Sequence, residues 1–137
     1  MKTPVTLLLA EDDAVTRLDL RRIVEAAGYR VCGEVGDGRQ AVAHALELSP
    51  DVIVMDVGMP GLNGVEAARQ IAAVRSIPIV LLTGYGYGEL IAGAIDAGVS
   101  AFVSKPFREH EPLDAIEAAL ERRPNDVGLA YLQLGRR

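Results

Sequence analysis

Strand-length apolar runs alternate with segments of helical period along almost the whole chain, and this alternation limits the fold more than any other feature. Thr6-Leu7-Leu8-Leu9-Ala10 is a strand-length apolar run that ends in Glu11-Asp12-Asp13. From Ala14 the period changes. Leu20, Ile23, Val24 and Ala27 repeat at i, i+3, i+4 and i+7, which predicts a helix closed by Gly28. Tyr29 to Val35 reads as a second strand, and Gly36-Asp37-Gly38 as a turn. Gln40 to Leu48 is an Ala-rich helix with Ala41, Ala45 and Leu48 on one face, stopped by Ser49-Pro50-Asp51. Val52 to Asp56 is a third strand. Asn63 is the N-cap of a helix from Val65 to Val74, with Ala68, Ile71 and Ala72 inward. Ile77 to Leu82 is a fourth strand ending on Thr83. The loop from Gly84 to Gly88 leads into a short helix, Glu89 to Ala97, closed by Gly98. Ala101 to Ser104 is a fifth strand. Leu113, Ile116 and Leu120 mark a last helix, with Pro112 near its first turn. Strands separated by helices and short loops must run parallel, joined by right-handed crossovers. The expected class is therefore α/β, a five-stranded parallel sheet with helices on both faces.

The length of 137 residues implies one domain, expected over residues 1–123, followed by a short tail over 124–137. The net charge of −5 gives no electrostatic case for binding nucleic acid or a membrane surface. No apolar run approaches the roughly 20 residues of a membrane span. Met1-Lys2-Thr3-Pro4 starts too close to the first strand to be a signal peptide. A lone cysteine, Cys32, excludes an internal disulfide, fits a reducing cytoplasm and reads as a small buried hydrophobe. His44 and His110 have no companions at metal-ligand spacing and read as surface or capping residues. The alternating loop from Gly84 to Gly88 imitates a nucleotide-binding loop, but the G-x-G-x-x-G register fails at Glu89 and no Lys-Ser/Thr pair follows.

The strand ends carry the chemistry. Strands one, three, four and five end on Glu11-Asp12, Asp56, Thr83 and Lys105. In a doubly wound sheet such tips converge on one crevice. Three clustered carboxylates repel one another and call for a cation, and an all-oxygen ligand set suits Mg²⁺. A hydroxyl and an ammonium opposite it suit the oxygens of a transferred phosphoryl group. Asp56 is then the nucleophile of an acyl-phosphate reaction. Each residue also has a plain reading: Asp13 as a helix N-cap, Lys105 as a loop charge, Thr83 as a β-favouring strand end. It is the four tips in register that favour the chemical reading.

From about Val5 to Glu121 the chain resembles the receiver domain of two-component response regulators. Glu11-Asp12, Met55 to Gly64, Thr83 and Lys105-Pro106-Phe107 match that family's motifs in order and spacing. The resemblance implies a flavodoxin-like sheet of order 2-1-3-4-5. It implies Asp56 as phosphoacceptor, and Asp12, Glu11 through water and the Gly58 carbonyl as further Mg²⁺ ligands. Thr83 and Lys105 would hold phosphoryl oxygens, and the Lys105–Pro106 peptide would be cis. Phe102 matches the aromatic switch position and also has a core reading. Gly58, Gly84 and Tyr85 depart from more usual residues beside the acceptor and after Thr83.

The partners implied are a sensor histidine kinase or a histidine phosphotransfer protein, and an unnamed downstream effector. The docking surface is expected at the start of the first helix, at Val15 and Leu18 with Arg17 and Arg21 nearby; the plain alternative is that Val15 and Leu18 are core. Ser100-Ala101 stands where many DNA-binding relatives carry an acidic pair used in dimerisation, so a monomer or weak dimer is expected. Two rivals differ in class. A haloacid-dehalogenase-like phosphatase needs a second carboxylate two residues after its nucleophile, where this chain has Gly58. The run from Leu7 through Leu18-Asp19-Leu20 to Pro106-Phe107 looks like the receivers of ANTAR-type antitermination regulators, which carry a helical RNA-binding domain after the receiver.

Overall fold

The computed structural model describes residues 3–84 and 92–121. Its elements are β1 (Thr6–Ala10), α1 (Ala14–Ala26), β2 (Arg30–Val35), α2 (Gly38–Leu48), β3 (Val52–Asp56), α3 (Gly64–Ala72), β4 (Ile79–Thr83), β5 (Ala101–Ser104) and α4 (His110–Glu121). The strands form one parallel sheet of order β2-β1-β3-β4-β5. This is the flavodoxin-like arrangement expected.

Alternation along each strand sorts the core into two layers. Leu8, Ile53, Met55, Leu81 and Phe102 pack with Ala41 and Ala45 of α2 and with Ala68 and Ile71 of α3. Leu7, Leu9, Val54, Leu82 and Val103 pack with Leu20 and Val24 of α1 and with Ile116 of α4. Covered on both faces, β3 and β4 are buried at every position, which is why they read as unbroken apolar runs. The edge strand β2 is less buried, and its register slips between Leu7↔Val31 and Leu8↔Gly33. Cys32 is the extra residue of that bulge and is half-buried rather than buried.

Local signals set the helix ends. Asp13, Asp37 and Asn63 cap α1, α2 and α3, each accepting from the backbone N–H three residues on. Because Asp37 is a cap, α2 begins at Gly38, earlier than the expected Gln40. Gly28 and Gly98 take positive φ, and each closes a helical turn with the paired backbone bonds of a Schellman motif. The start of the helix expected over Glu89 to Ala97 lies outside the described residues.

Some inward positions differ from expectation. Ala27 is the exposed C-cap of α1. Leu48, the last residue of α2, is 41% exposed and covers Gly33 with only part of its side chain. α3 stops at Ala72, which is exposed at the rim beside Gly98; Val65 and Ala67 complete its buried face instead. β4 starts at Ile79, so Ile77 is a half-buried residue of the preceding loop.

Candidate functional site

Parallel strands deliver their C-terminal ends to one edge of the sheet, and the order β1-β3-β4-β5 makes four of those ends neighbours. Ala10 pairs with Met55, Asp56 with Leu82, and Thr83 with Ser104. The residues at and just beyond these pairs form the site. Glu11, Asp56 and Thr83 are its buried polar members, at 1%, 6% and 4% exposure, while Asp12 faces solvent. Carboxylate oxygens of Glu11, Asp12 and Asp56 lie within 4.8 Å of one another.

Lys105, just past β5, is held over this cluster by its backbone N–H, which donates to Thr83 O at 2.7 Å. Its Nζ lies 2.5 Å from Glu11 Oε1 and 2.8 Å from Asp56 Oδ1. Burial raises the Glu11 carboxyl above its ordinary range; Lys105 opposes this, and the Asp56 charge adds to it. Burial alone would lower the Lys105 ammonium, but Asp56 and Glu11 together outweigh it and raise it. The Glu11–Lys105 contact was not anticipated from the residues. No local signal exists for a pair separated by 94 positions.

The remaining candidates surround this centre. Thr83 Oγ1 donates to Val103 O in a long bond of 3.4 Å. Phe102 is 9% exposed and lies beside Leu81 on the sheet face that Thr83 also shares by alternation. Gly58 is half-buried in the loop after β3, and the Lys105–Pro106 peptide is cis. Gly84 is described, whereas Tyr85 and the loop to Gly88 lie outside the described residues. Val15 and Leu18 are 76% and 49% exposed, so neither is core. They line a groove of about 570 Å³ that runs to Lys105 and Phe107. Asp19 and Arg22 add charge to that groove beside Lys105. Arg17 and Arg21, expected beside Val15 and Leu18, turn instead to Glu34 on β2.

Every ligand atom the cluster offers is a carboxylate oxygen, and such a donor set fits a hard divalent cation. The Lys105 ammonium, already in contact with Asp56, is a donor available to an anionic group bound at that carboxylate, and Thr83 ends the adjacent strand with a hydroxyl. The arrangement thus suits transfer of a charged oxyanion to a carboxylate.

Comparison with known proteins agrees with this geometry. Residues 7–117 match the family model of the response regulator receiver domain. The transcriptional regulatory protein PdtaR of Mycobacterium tuberculosis is 43% identical over 119 residues, covering 87% of this chain and 58% of that protein. The chemotaxis protein CheY of Thermotoga maritima is 35% identical over 111 residues, 80% of this chain and 92% of that one. Among solved structures, a LuxR-family two-component response regulator from Aurantimonas superposes with a TM-score of 0.81 at 30% identity, over 98% of this chain and 100% of that chain. The chain thus spans less than two thirds of the length of PdtaR and nearly all of CheY. Matched by the family model over most of its length and by relatives above 30% identity, the chain belongs to the response regulator receiver domain family.

Proposed function

We propose that this domain is the phosphoacceptor switch of a two-component relay, with Asp56 as the accepting residue. The observation that carries the reading is the set of Glu11, Asp12 and Asp56 carboxylates within 4.8 Å of one another, with Lys105 Nζ 2.8 Å from Asp56. An Asp56 oxygen attacks phosphorus, the bond from phosphorus to the donor's imidazole nitrogen breaks, and an acyl phosphate forms. Glu11, Asp12, Asp56 and the Gly58 carbonyl would hold Mg²⁺, which supplies positive charge to the phosphoryl oxygens when bound. Lys105 and Thr83 supply donors to the same oxygens. The domain assists its own phosphorylation and dephosphorylation and turns over no external substrate.

The phosphodonor is a sensor histidine kinase or a histidine phosphotransfer protein. The exposed Val15 and Leu18, lining a groove that ends at Lys105, support docking there. Output runs through Thr83 and Phe102 to an effector bound near β5 and α4, with the domain working as a monomer or weak dimer in the cytoplasm. The receiver unit spans residues 1–123, and the tail over 124–137 lies outside the described residues. A second reading has support in the 43% identity to part of a transcriptional regulatory protein: this chain is the receiver portion of such a regulator, its output carried elsewhere. A haloacid-dehalogenase-like phosphatase is disfavoured by Gly58, which offers no acid two residues after Asp56.

The test is intact-mass measurement after incubation with a small phosphodonor. One phosphoryl group should be gained, only with Mg²⁺ present, and none by Asp56→Asn. Equal labelling of Asp56→Asn, or undiminished labelling in chelator, would overturn the assignment.

A further inference from the structure

Arg17 touches none of the reacting groups, yet its contacts tie the acidic tip to the rest of the fold. β1 ends at Ala10, so the main chain of Glu11 has left the strand. Its N–H still reaches Val35 O at 3.0 Å. Its carbonyl instead accepts from Arg17 Nη1 at 2.6 Å, a short charge-assisted bond. The same guanidinium is steadied from the sheet, with Nε 3.6 Å from Glu34 Oε1. Glu34 stands on β2, directly paired with Leu9 of β1. It also binds Arg21, which pairs with Glu25 at 3.2 Å along α1. The Arg17 and Glu34 side chains are only 28% and 27% exposed. A planar fork that serves an anchor and a carbonyl at once is a task for arginine, since lysine offers a single point of charge.

The Glu11 carbonyl and the Asp12 N–H belong to one rigid peptide plane. Fixing that carbonyl therefore fixes where the N–H and Cα of Asp12 sit, the base from which its side chain projects. Asp12 is exposed, so packing does little to aim its carboxylate. We propose that Arg17 is a positioning residue: by holding the Glu11–Asp12 peptide it preorganises the Asp12 carboxylate toward Asp56 for a divalent cation. The inference rests on the metal reading above. The competing explanation is that Arg17 only staples α1 to the edge strand.

The two differ in what they do to Mg²⁺. The experiment compares the full chain with Arg17→Ala, Arg17→Lys, Glu34→Gln and Asp12→Ala. It uses calorimetric titration with Mg²⁺, the Mg²⁺ dependence of labelling by acetyl phosphate, and amide exchange at residues 12 and 13 in metal-free buffer. Groups that orient metal ligands typically contribute 10–100-fold in affinity, and Arg17→Ala should weaken Mg²⁺ binding by about tenfold. Half-saturating Mg²⁺ for labelling should rise by the same factor, with the rate recovered at saturating Mg²⁺. The amides of Asp12 and Asp13 should exchange faster. Arg17→Lys should recover part of the affinity, and Glu34→Gln should shift it less than Arg17→Ala. Lower thermal stability with unchanged Mg²⁺ affinity would overturn the proposal. Should Arg17→Ala fail to fold, unchanged affinity in both Arg17→Lys and Glu34→Gln would do the same. If Asp12→Ala loses Mg²⁺ and Arg17→Ala does not, this proposal fails and the metal reading stands. If the parent itself binds no Mg²⁺, both fail.

Discussion

The ammonium of Lys105 donates to the carboxylate of Glu11 at 2.5 Å, although 94 residues separate the two in the chain. Glu11 is almost wholly buried, and a buried carboxylate without a partner is costly. Lys105 meets Asp56 as well, so one cation serves two of the three acidic groups. The site is therefore a charge arrangement closed by β5, the edge strand on the far side of the sheet from β2, and its integrity depends on β5 being in place.

Lys105→Met should leave Glu11 and Asp56 facing one another with their cation gone. Breaking a buried pair costs about 3–5 kcal/mol, and at a side chain one quarter exposed a loss of roughly 1–3 kcal/mol is expected at neutral pH. The sign of the pH dependence follows from the raised Lys105 value. Its contribution is fully present below its ordinary value of 10.5 and is lost as pH rises through the higher folded value. Urea unfolding of parent and variant at neutral pH should differ, and the difference should shrink in strongly alkaline buffer. A constant difference would show that the ammonium's charge is not the cause.

Asp13 gives the opposite dependence. Its side chain accepts from the hydroxyl and the backbone N–H of Thr16, and these bonds lower its carboxyl below the ordinary 3.8. A lowered folded value contributes stability that is present above 3.8 and lost as pH falls through the folded value. Asn caps helices about as well as Asp, so Asp13→Asn keeps the cap and removes the charge. The parent should be the more stable at neutral pH, and the gap should close on acidification. Parallel unfolding curves at pH 7 and about pH 2.5 measure it.

At Gly38 the helix α2 lies against the loop between β3 and α3. A Cβ built there would sit 1.9 Å from Leu62 O, a backbone atom that cannot step aside alone. Gly38→Ala is expected to destabilise by about 1–3 kcal/mol despite the better helix propensity of Ala. Denaturant unfolding reads the loss. A stabilised variant would mean that the loop yields freely.

Thr83 and Phe102 share one face of the sheet, and Phe102 is already mostly buried. A phosphoryl group can shift a switch only through differential contacts with its two states, and the proposed role of Thr83 is to make them. Amide chemical shifts with and without a phosphoryl mimic should change from Thr83 through Lys105, and Thr83→Ala should reduce those changes at Phe102. An occupied site with no response at Phe102 would remove this route of signalling.

Much of this was legible in the residues alone. The strand–helix order, the caps at Asp13 and Asn63, and the closures at Gly28 and Gly98 rest on hydrophobic period and turn chemistry, which act over a few neighbouring residues. The gathering of Glu11, Asp12, Asp56, Thr83 and Lys105 at one edge follows from the same order, because parallel strands must present their ends together. Sequence by itself therefore determined the fold class and, with the strand order implied by the family resemblance, which side chains share the crevice. Only the tertiary structure decided how they pair. Lys105 bridging Glu11 and Asp56, Arg17 on the Glu11 carbonyl rather than beside Val15, the bulge at Cys32 and the rim positions of Leu48 and Ala72 depend on register between distant segments and on where each helix runs out over the sheet. Such distances are set by packing across the core, which no local period encodes.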